Sequence, residues 1–432
     1  MTTSLDYLKT PTKMAKFVIQ GGKTLSGEIR VSGAKNAALK ALPASLLLDG
    51  VTTLTNVPHI EDVNRMVELM RDLGATVTVE GSTYTVDPST VNRDELNPQL
   101  HQKLRSSILL AGPMLHRTGK IVFPEPGGCV LGKRPIDYFL AGYKAFGVRI
   151  EDRSDGYTLF AENIHPARIV FPRISHTATE AMMMFAALVP GTTVLMNCAM
   201  EPEVGALADF LNTCGAKISG AGTPTITIEG AEKLTAGTYN TIPDRIEAGT
   251  FAILGAATQS KIKVTGINPV HSEILWELFR KANINFELGE DYVQMLPSPE
   301  IKAITKDIVT HEFPGFPTDL QAPMTVLMTQ AHGSSLVFET IYDGRLFYTD
   351  SLIGMGADIL MCDPHRILVT GPTALAGKKL VSPDIRAGIA LVIAALVAKG
   401  QSEIDNIYLI NRGYESIVER LTGLGADIKE LE

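Results

Sequence analysis

Cysteine is scarce in this chain of 432 residues. Its four cysteines, Cys129, Cys198, Cys214 and Cys362, lie too far apart for a zinc motif and are too few for a disulfide framework in so long a chain. An excess of positive charge is also lacking. With 39 Lys and Arg against 47 Asp and Glu, the net charge is −8, which argues against a broad nucleic-acid surface. A few cations converging in a cleft can still reverse the local field, so a small anionic ligand stays open. No apolar run is long enough to span a bilayer; the longest candidates, such as GIALVIAALVA from Gly388 to Ala398, fall short of the ~20 residues needed. The opening MTTSLDYLKTPTKMAKF has no apolar signal core. A cytoplasmic protein with no membrane partner is therefore expected. No Cys, His or carboxylate spacing suggests a metal or an organic cofactor, and none is expected.

What is present is the composition of a globular protein, 45% hydrophobic and 20% charged, at a length that calls for more than one core. Six times the chain passes through an amphipathic helix, a Gly-Ala-like turn and a strand. The turns fall at Gly74-Ala75, Gly147-Val148, Gly215-Ala216, Ala282-Asn283, Gly356-Ala357 and Gly425-Ala426, roughly 70 residues apart. Each unit also holds a helix apolar nearly all round: ALKALPASLLL, SSILLAGPML, EAMMMFAALV, GTFAILGAA, APMTVLMTQA and AGIALVIAALVA. A helix with no polar face belongs inside a core, whereas VNRMVELMRDLG or YESIVERLTGLG lies against one. Each unit thus predicts strand, buried helix, strand, surface helix, strand, strand, an α/β layered packing. Three of the cysteines read as small core hydrophobes; Cys129 stands apart.

The buried helices begin with polar residues: Lys35-Asn36, Arg105, Ser175 to Glu180, Asp244-Arg245, Thr318-Asp319, and Asp384 with Arg386. Asp, Ser and Thr there are explained as N-caps. Lys35, Arg105 and Arg386 are not, because positive charge is unfavourable at the positive end of a helix dipole. A cation repeated at such ends points to an anionic ligand held by free N–H groups and side chains together.

Six segments carry a resemblance: VSGAKNAALKAL (Val31 to Leu42), PGGCVLGKRPID (Pro126 to Asp137), IPDRIEAGTF (Ile242 to Phe251), FPGFPTDLQA (Phe313 to Ala322), SPDIRAGIALV (Ser382 to Val392) and NRGYESI (Asn411 to Ile417). In this order, from about Phe17 onward, the chain resembles the UDP-N-acetylglucosamine 1-carboxyvinyltransferases, enolpyruvyl transferases that commit this sugar nucleotide to peptidoglycan synthesis. The resemblance implies a two-domain inverse α/β barrel of the EPSP synthase type, with six βαβαββ units, helices inside and sheets outside. It implies one discontinuous domain of residues 1–34 plus 244–432, bearing Asp319, Arg345, Arg386 and Arg412. The other, residues 35–243, would carry the Cys129 loop and much of the nucleotide-sugar site. The small-molecule partners it implies are phosphoenolpyruvate and UDP-N-acetylglucosamine, acting on a monomer.

Enolpyruvyl transfer needs a proton donor to carbon, a group at the attacking hydroxyl, and cations for a carboxylate and a phosphate. Cys129 follows a proline and two glycines and precedes Lys133 and Arg134, so a flexible loop presents a thiol among cations that favour the thiolate. By resemblance Cys129 protonates C3 of phosphoenolpyruvate, can carry it as a covalent adduct, and is alkylated by fosfomycin. Asp319 is the implied base at the sugar hydroxyl; a carboxylate ringed by cations is a weak base, so orienting the hydroxyl is its other reading. Lys35, Arg134 and Arg412 match residues that hold the phosphate, and Arg345 and Arg386 residues near the carboxylate, where the guanidinium fork suits an oxyanion. Asn36 and Asp384 stand beside them. For the sugar nucleotide the implied contacts are Arg105, Arg134, Pro135, Ile136, Asp137, Tyr138, Arg173, Ser175, His176 and Ile341.

The chain departs from the family pattern in places. Lys-x-Ser-Val-Gly is replaced by Arg173-Ile174-Ser175-His176-Thr177, a His by Phe139, and an Arg or Lys by Met200. His176 reads first as a satisfied cleft residue, and altered nucleotide handling is the sharper reading. The competing functions are 5-enolpyruvylshikimate-3-phosphate synthase, which lacks the Cys loop, a transferase acting on another nucleotide, and a silent sugar-nucleotide sensor.

Overall fold

The computed structural model describes residues 15–124 and 136–431. Five four-stranded sheets share one strand pattern: a parallel pair, then two antiparallel neighbours. In one, Arg168–Val170 runs parallel to Gly191–Met196, followed by Thr225–Gly230 and Lys217–Ser219. A sixth sheet has three strands, Lys120–Pro124, Gly156–Phe160 and Arg149–Arg153, and a single parallel bridge from Glu95 to Val122 stands where its first strand would be. Six sheets of one design are the six units read from the sequence.

Two of these sheets borrow their first strand from far along the chain. Thr238–Asn240 pairs with Thr52–Thr55, and Ser26–Arg30 pairs with Lys261–Thr265. A third is completed by the N-terminal strand Lys16–Gln20, lodged between Gln401–Asp405 and Asp427–Leu431. Every such pairing covers an edge that would otherwise template association with another chain.

The apolar helices lie beneath the sheets. Arg245–Ala257 and Ile385–Val397 bury nearly every residue, as do Lys35–Ser45, His176–Ala186 and Gln321–Met328. The remaining apolar segment, second along the chain, differs from a plain α-helix: Arg105–Leu110 is a 3-10 turn leading into the α-helix Ala111–Thr118. Pro113 has no N–H for a carbonyl four residues back, a loss the first turn of an α-helix tolerates best. The turns after the surface helices use Gly74, Gly147, Gly215, Gly356 and Gly425 at positive φ, with Asn283 in the fourth unit.

Buried apolar side chains form two clusters. One draws on residues 17–31 and 246–428, the other on residues 38–239. The chain passes between them twice, and the two passages touch at an isolated bridge between Gly33 and Pro243. A Cβ on Gly33 would lie 1.8 Å from the carbonyl oxygen of Asn56, so only glycine fits this crossing. Cys198 and Cys214 are core residues, but Cys362 is exposed, because its strand Asp358–Asp363 forms a sheet edge with a solvent face. Among the described residues no helix is long and apolar enough to cross a membrane.

Candidate active site

The crossing brings helix N-termini together. Asp244 caps its own helix by accepting from the N–H groups of Ile246 and Glu247 through one oxygen. Its other oxygen accepts from the N–H of Lys35, the first residue of the helix Lys35–Ser45, at 3.0 Å. One carboxylate thus caps two helices that belong to different cores. Asp384 does the same for one helix, accepting from Arg386 and Ala387. Their capping role is therefore present, and it aims Lys35 and Arg386 from the first turn of each helix.

Two clusters of cations with one carboxylate each result. In the first, Asp319 lies between Arg345 and Arg386, both at 2.8 Å. Burial alone would raise the Asp319 pKa, but Arg386 and then Arg345 outweigh it and hold the carboxyl well below the usual range. Arg386 also lies 3.4 Å from the Tyr414 hydroxyl. Glu339 accepts from the hydroxyl of Thr318 and from the N–H groups of Ile341 and Tyr342, tying the Asp319 turn to the segment carrying Ile341 and Arg345.

In the second cluster, Lys35 Nζ and Arg412 Nε each approach Asp62 at 2.7 Å. Burial lowers the pKa of Lys35, opposed by the charge of Asp62 and reinforced by Arg386 and Arg412. Arg386 reaches Tyr414, just past Arg412 in the chain, so the two clusters are neighbours. The sequence reading missed Asp62, because an acid in the first turn of the amphipathic helix Glu61–Asp72 already has an explanation in the helix dipole.

The nucleotide-side residues are placed differently. Ser175 caps the helix His176–Ala186, and Arg173 before it is exposed. His176 faces inward on this helix, 3.2 Å from Glu180, whose second oxygen is 3.1 Å from Lys40. Nearby Glu203 pairs with Arg245, which stands over the ring of Phe313. Sequence reasoning named neither Lys40 nor Glu203. Asp137 begins the helix Asp137–Ala145 with Tyr138 next, Ile136 is buried ahead of them, and Asn36 follows Lys35. Arg105 is half-buried at the head of its 3-10 turn. Cys129, Arg134 and Pro135 lie outside the described residues, as do Lys133 and the rest of the PGGC loop. Among the described residues no cluster of His, Cys, Asp or Glu has the geometry to hold a metal ion.

Burial disfavours the imidazolium of His176, but the Glu180 carboxylate more than compensates, with Lys40 opposing, so its pKa is raised. A raised histidine stabilises the fold fully below its ordinary value and loses that contribution as pH rises through the folded value. At pH below the ordinary histidine value of about 6.5, His176→Gln should therefore melt a few degrees below the parent, and the gap should narrow as pH rises above that. A gap in thermal melts that does not change with pH would contradict the ion pair.

The model for EPSP synthase (3-phosphoshikimate 1-carboxyvinyltransferase) matches residues 19–421. Among solved structures, the enolpyruvyl transferase NikO from Streptomyces tendae superposes with a TM-score of 0.87 at 25% identity, covering 96% of this chain and 99% of that one. EPSP synthase from Acinetobacter baumannii shares the fold, with a TM-score of 0.73 at 17% identity over 97% of this chain and 100% of its own. The UDP-N-acetylglucosamine 1-carboxyvinyltransferase of Desulforapulum autotrophicum is 42% identical over 97% of this chain and 100% of its own length. That of Halothermothrix orenii is 40% identical over the same shares. The chain belongs to the EPSP synthase-like enolpyruvyl transferases and, within them, to the UDP-N-acetylglucosamine 1-carboxyvinyltransferase family. The six-segment resemblance and the fold it implied are both borne out.

Proposed function

We propose that this chain transfers the enolpyruvyl group of phosphoenolpyruvate to the 3′-hydroxyl of UDP-N-acetylglucosamine with release of phosphate, the first committed step of peptidoglycan synthesis. The observation that carries this reading is the adjacency of two cationic clusters in a member of this family: Arg345 with Arg386, and Lys35 with Arg412. A substrate bearing a carboxylate and a phosphate on one carbon matches that arrangement, and fixed cations stabilise developing charge without reorganising. The two cores are then two domains, residues 1–34 plus 244–432 and residues 35–243, with the substrates between them. The enzyme works in the cytoplasm as a monomer and uses no metal or organic cofactor.

Each residue takes a definite part. The phosphate rests on Lys35, Arg134 and Arg412, and the carboxylate on Arg345 and Arg386. The sugar hydroxyl gives its proton to Asp319 as its oxygen bonds to C2, while Cys129 gives its thiol proton to C3, leaving a Cys129 thiolate and a tetrahedral adduct that still carries the phosphate at C2. The Cys129 thiolate then takes a proton back from C3, which restores the double bond as the C2–O bond to phosphate breaks and the phosphate leaves with that electron pair. Asp319 accepts the hydrogen bond of the attacking hydroxyl. Its grip by two arginines weakens it as a base, and a substrate carboxylate arriving on those arginines restores basicity when it is needed. Arg105, Pro135, Ile136, Asp137, Tyr138, Arg173, Ser175, His176 and Ile341 hold the sugar nucleotide.

The test is phosphate release by the purified full-length protein. Release from phosphoenolpyruvate is expected only when UDP-N-acetylglucosamine is added. Release with shikimate 3-phosphate instead would overturn the acceptor assignment.

A further inference from the structure

Asp62 has a place in the site that the reaction scheme leaves unused. It sits in the first turn of the helix Glu61–Asp72, and its side chain is 6% exposed. One oxygen is 2.7 Å from Arg412 Nε; the other is 2.7 Å from Lys35 Nζ and 3.4 Å from Arg412 Nη2. Arg412 follows the short helix Tyr408–Asn411 in the stretch that builds one core, whereas Asp62 belongs to the stretch that builds the other. The contact therefore spans the two cores. A second link lies beside it, from the N–H of His59 to Glu415 at 3.2 Å.

We propose that Asp62 is a positioning residue for phosphoenolpyruvate: its carboxylate fixes Lys35 and Arg412, one from each side of the cleft, so that bringing the two cores together assembles the phosphate site. This rests on the proposed function, in which those two cations receive the phosphate. Two cations held close together repel, and a carboxylate bridging them in two-point fashion offsets that repulsion and sets the guanidinium plane. Without it, closing the cleft would force Lys35 and Arg412 together before any phosphate was there to reconcile them. A buried pair of this kind is weak evidence for stability, but it is well suited to fixing geometry.

Lys35 supplies a readout that simple packing would not move. The groups facing it are Asp62, Arg386 and Arg412 by charge, Asp244 at its backbone N–H, and Glu247 and Glu415 across a small hollow. Burial already lowers its pKa, and Asp62 is the first group opposing that shift. In Asp62→Asn the opposition disappears, so Lys35 loses its proton at lower pH and the alkaline limb of kcat/KM for phosphoenolpyruvate moves down.

The experiment is steady-state phosphate release by the full chain, varying phosphoenolpyruvate at saturating UDP-N-acetylglucosamine across pH, for the parent, Asp62→Asn and Asp62→Glu. Asp62→Asn should raise KM for phosphoenolpyruvate about tenfold or more, change kcat less than about threefold, and shift the alkaline limb down by about one pH unit. Asp62→Glu should restore KM to within about threefold of the parent. A KM in Asp62→Asn equal to or below the parent's, or an unmoved limb, would overturn the inference. So would equal damage in both variants to kcat and to KM for phosphoenolpyruvate alike, which marks a packing role. A parent protein that releases no phosphate with both substrates present would instead overturn the function on which the inference rests.

Discussion

Cys129→Ser should lose essentially all fosfomycin labelling and at least about a hundredfold in kcat. The hydroxyl of serine holds its proton several pKa units more tightly than a thiol, so it is a poor donor to C3, and a proton donor placed in the transition state contributes roughly 10²–10⁴-fold. Serine oxygen is also a far weaker nucleophile toward an epoxide than a thiolate favoured by Lys133 and Arg134. Intact mass spectrometry after fosfomycin treatment checks the first half, with one added mass on the parent and none on the variant. Labelling that persists in Cys129→Ser would place the reactive group on another of the four cysteines. Cys198 and Cys214 are poor candidates, since burial raises both thiols, that of Cys198 to about 11. Cys362 is exposed and is the useful control.

Asp319→Asn should lower kcat by roughly 10²–10⁴-fold while leaving binding of UDP-N-acetylglucosamine far less affected. The amide cannot accept the hydroxyl proton, and it leaves Arg345 and Arg386 with no carboxylate between them. The same geometry has a consequence for pH. An aspartate with a depressed pKa contributes stability that is present above its unfolded value of about 3.9 and is lost only as pH falls through the lower folded value. The parent should therefore keep this contribution down to roughly pH 4, and Asp319→Asn should show none of it. Thermal melts from pH 7 downward check this. A variant that follows the parent's acid limb would show that the two arginines do not hold Asp319 as described.

The architecture was largely legible because its signals are local. The residue after each surface helix, glycine in five units and Asn283 in the fourth, must reach positive φ, and a helix such as GIALVIAALVA has no face that tolerates water. Sheet closure was not legible. Nothing in TYN at Thr238–Asn240 says that it pairs with Thr52–Thr55, since register across such a separation is set by the assembled core and not by local pattern. The same division runs through the site. Lys35 and Arg386 stood out as cations at the wrong end of a helix, and Asp319 and Asp384 as possible caps, so their convergence could be anticipated. Asp62 and Glu203 gave no such signal, and Glu180 was read only as part of the polar stretch from Ser175. Acids near a helix start are common, and only the fold shows that these meet Arg412, His176 and Arg245. Cys362 was misread for a related reason: a thiol looks alike on a sheet edge and in a core until the strand's neighbours are known.

His176 bears on the choice of acceptor. It takes the place of a small apolar residue in the family pattern, yet it turns toward Glu180 inside its own core instead of out toward a ligand. The departure is accommodated by the Lys40–Glu180–His176 set.

The direct test of the account is kcat/KM for phosphate release from phosphoenolpyruvate, compared across UDP-N-acetylglucosamine, a uridine nucleotide without the sugar, and shikimate 3-phosphate. UDP-N-acetylglucosamine should exceed each of the others by at least about a hundredfold, because only it offers both the attacking sugar hydroxyl and the diphosphate. A higher kcat/KM for either alternative acceptor, or release that needs no acceptor at all, would contradict it.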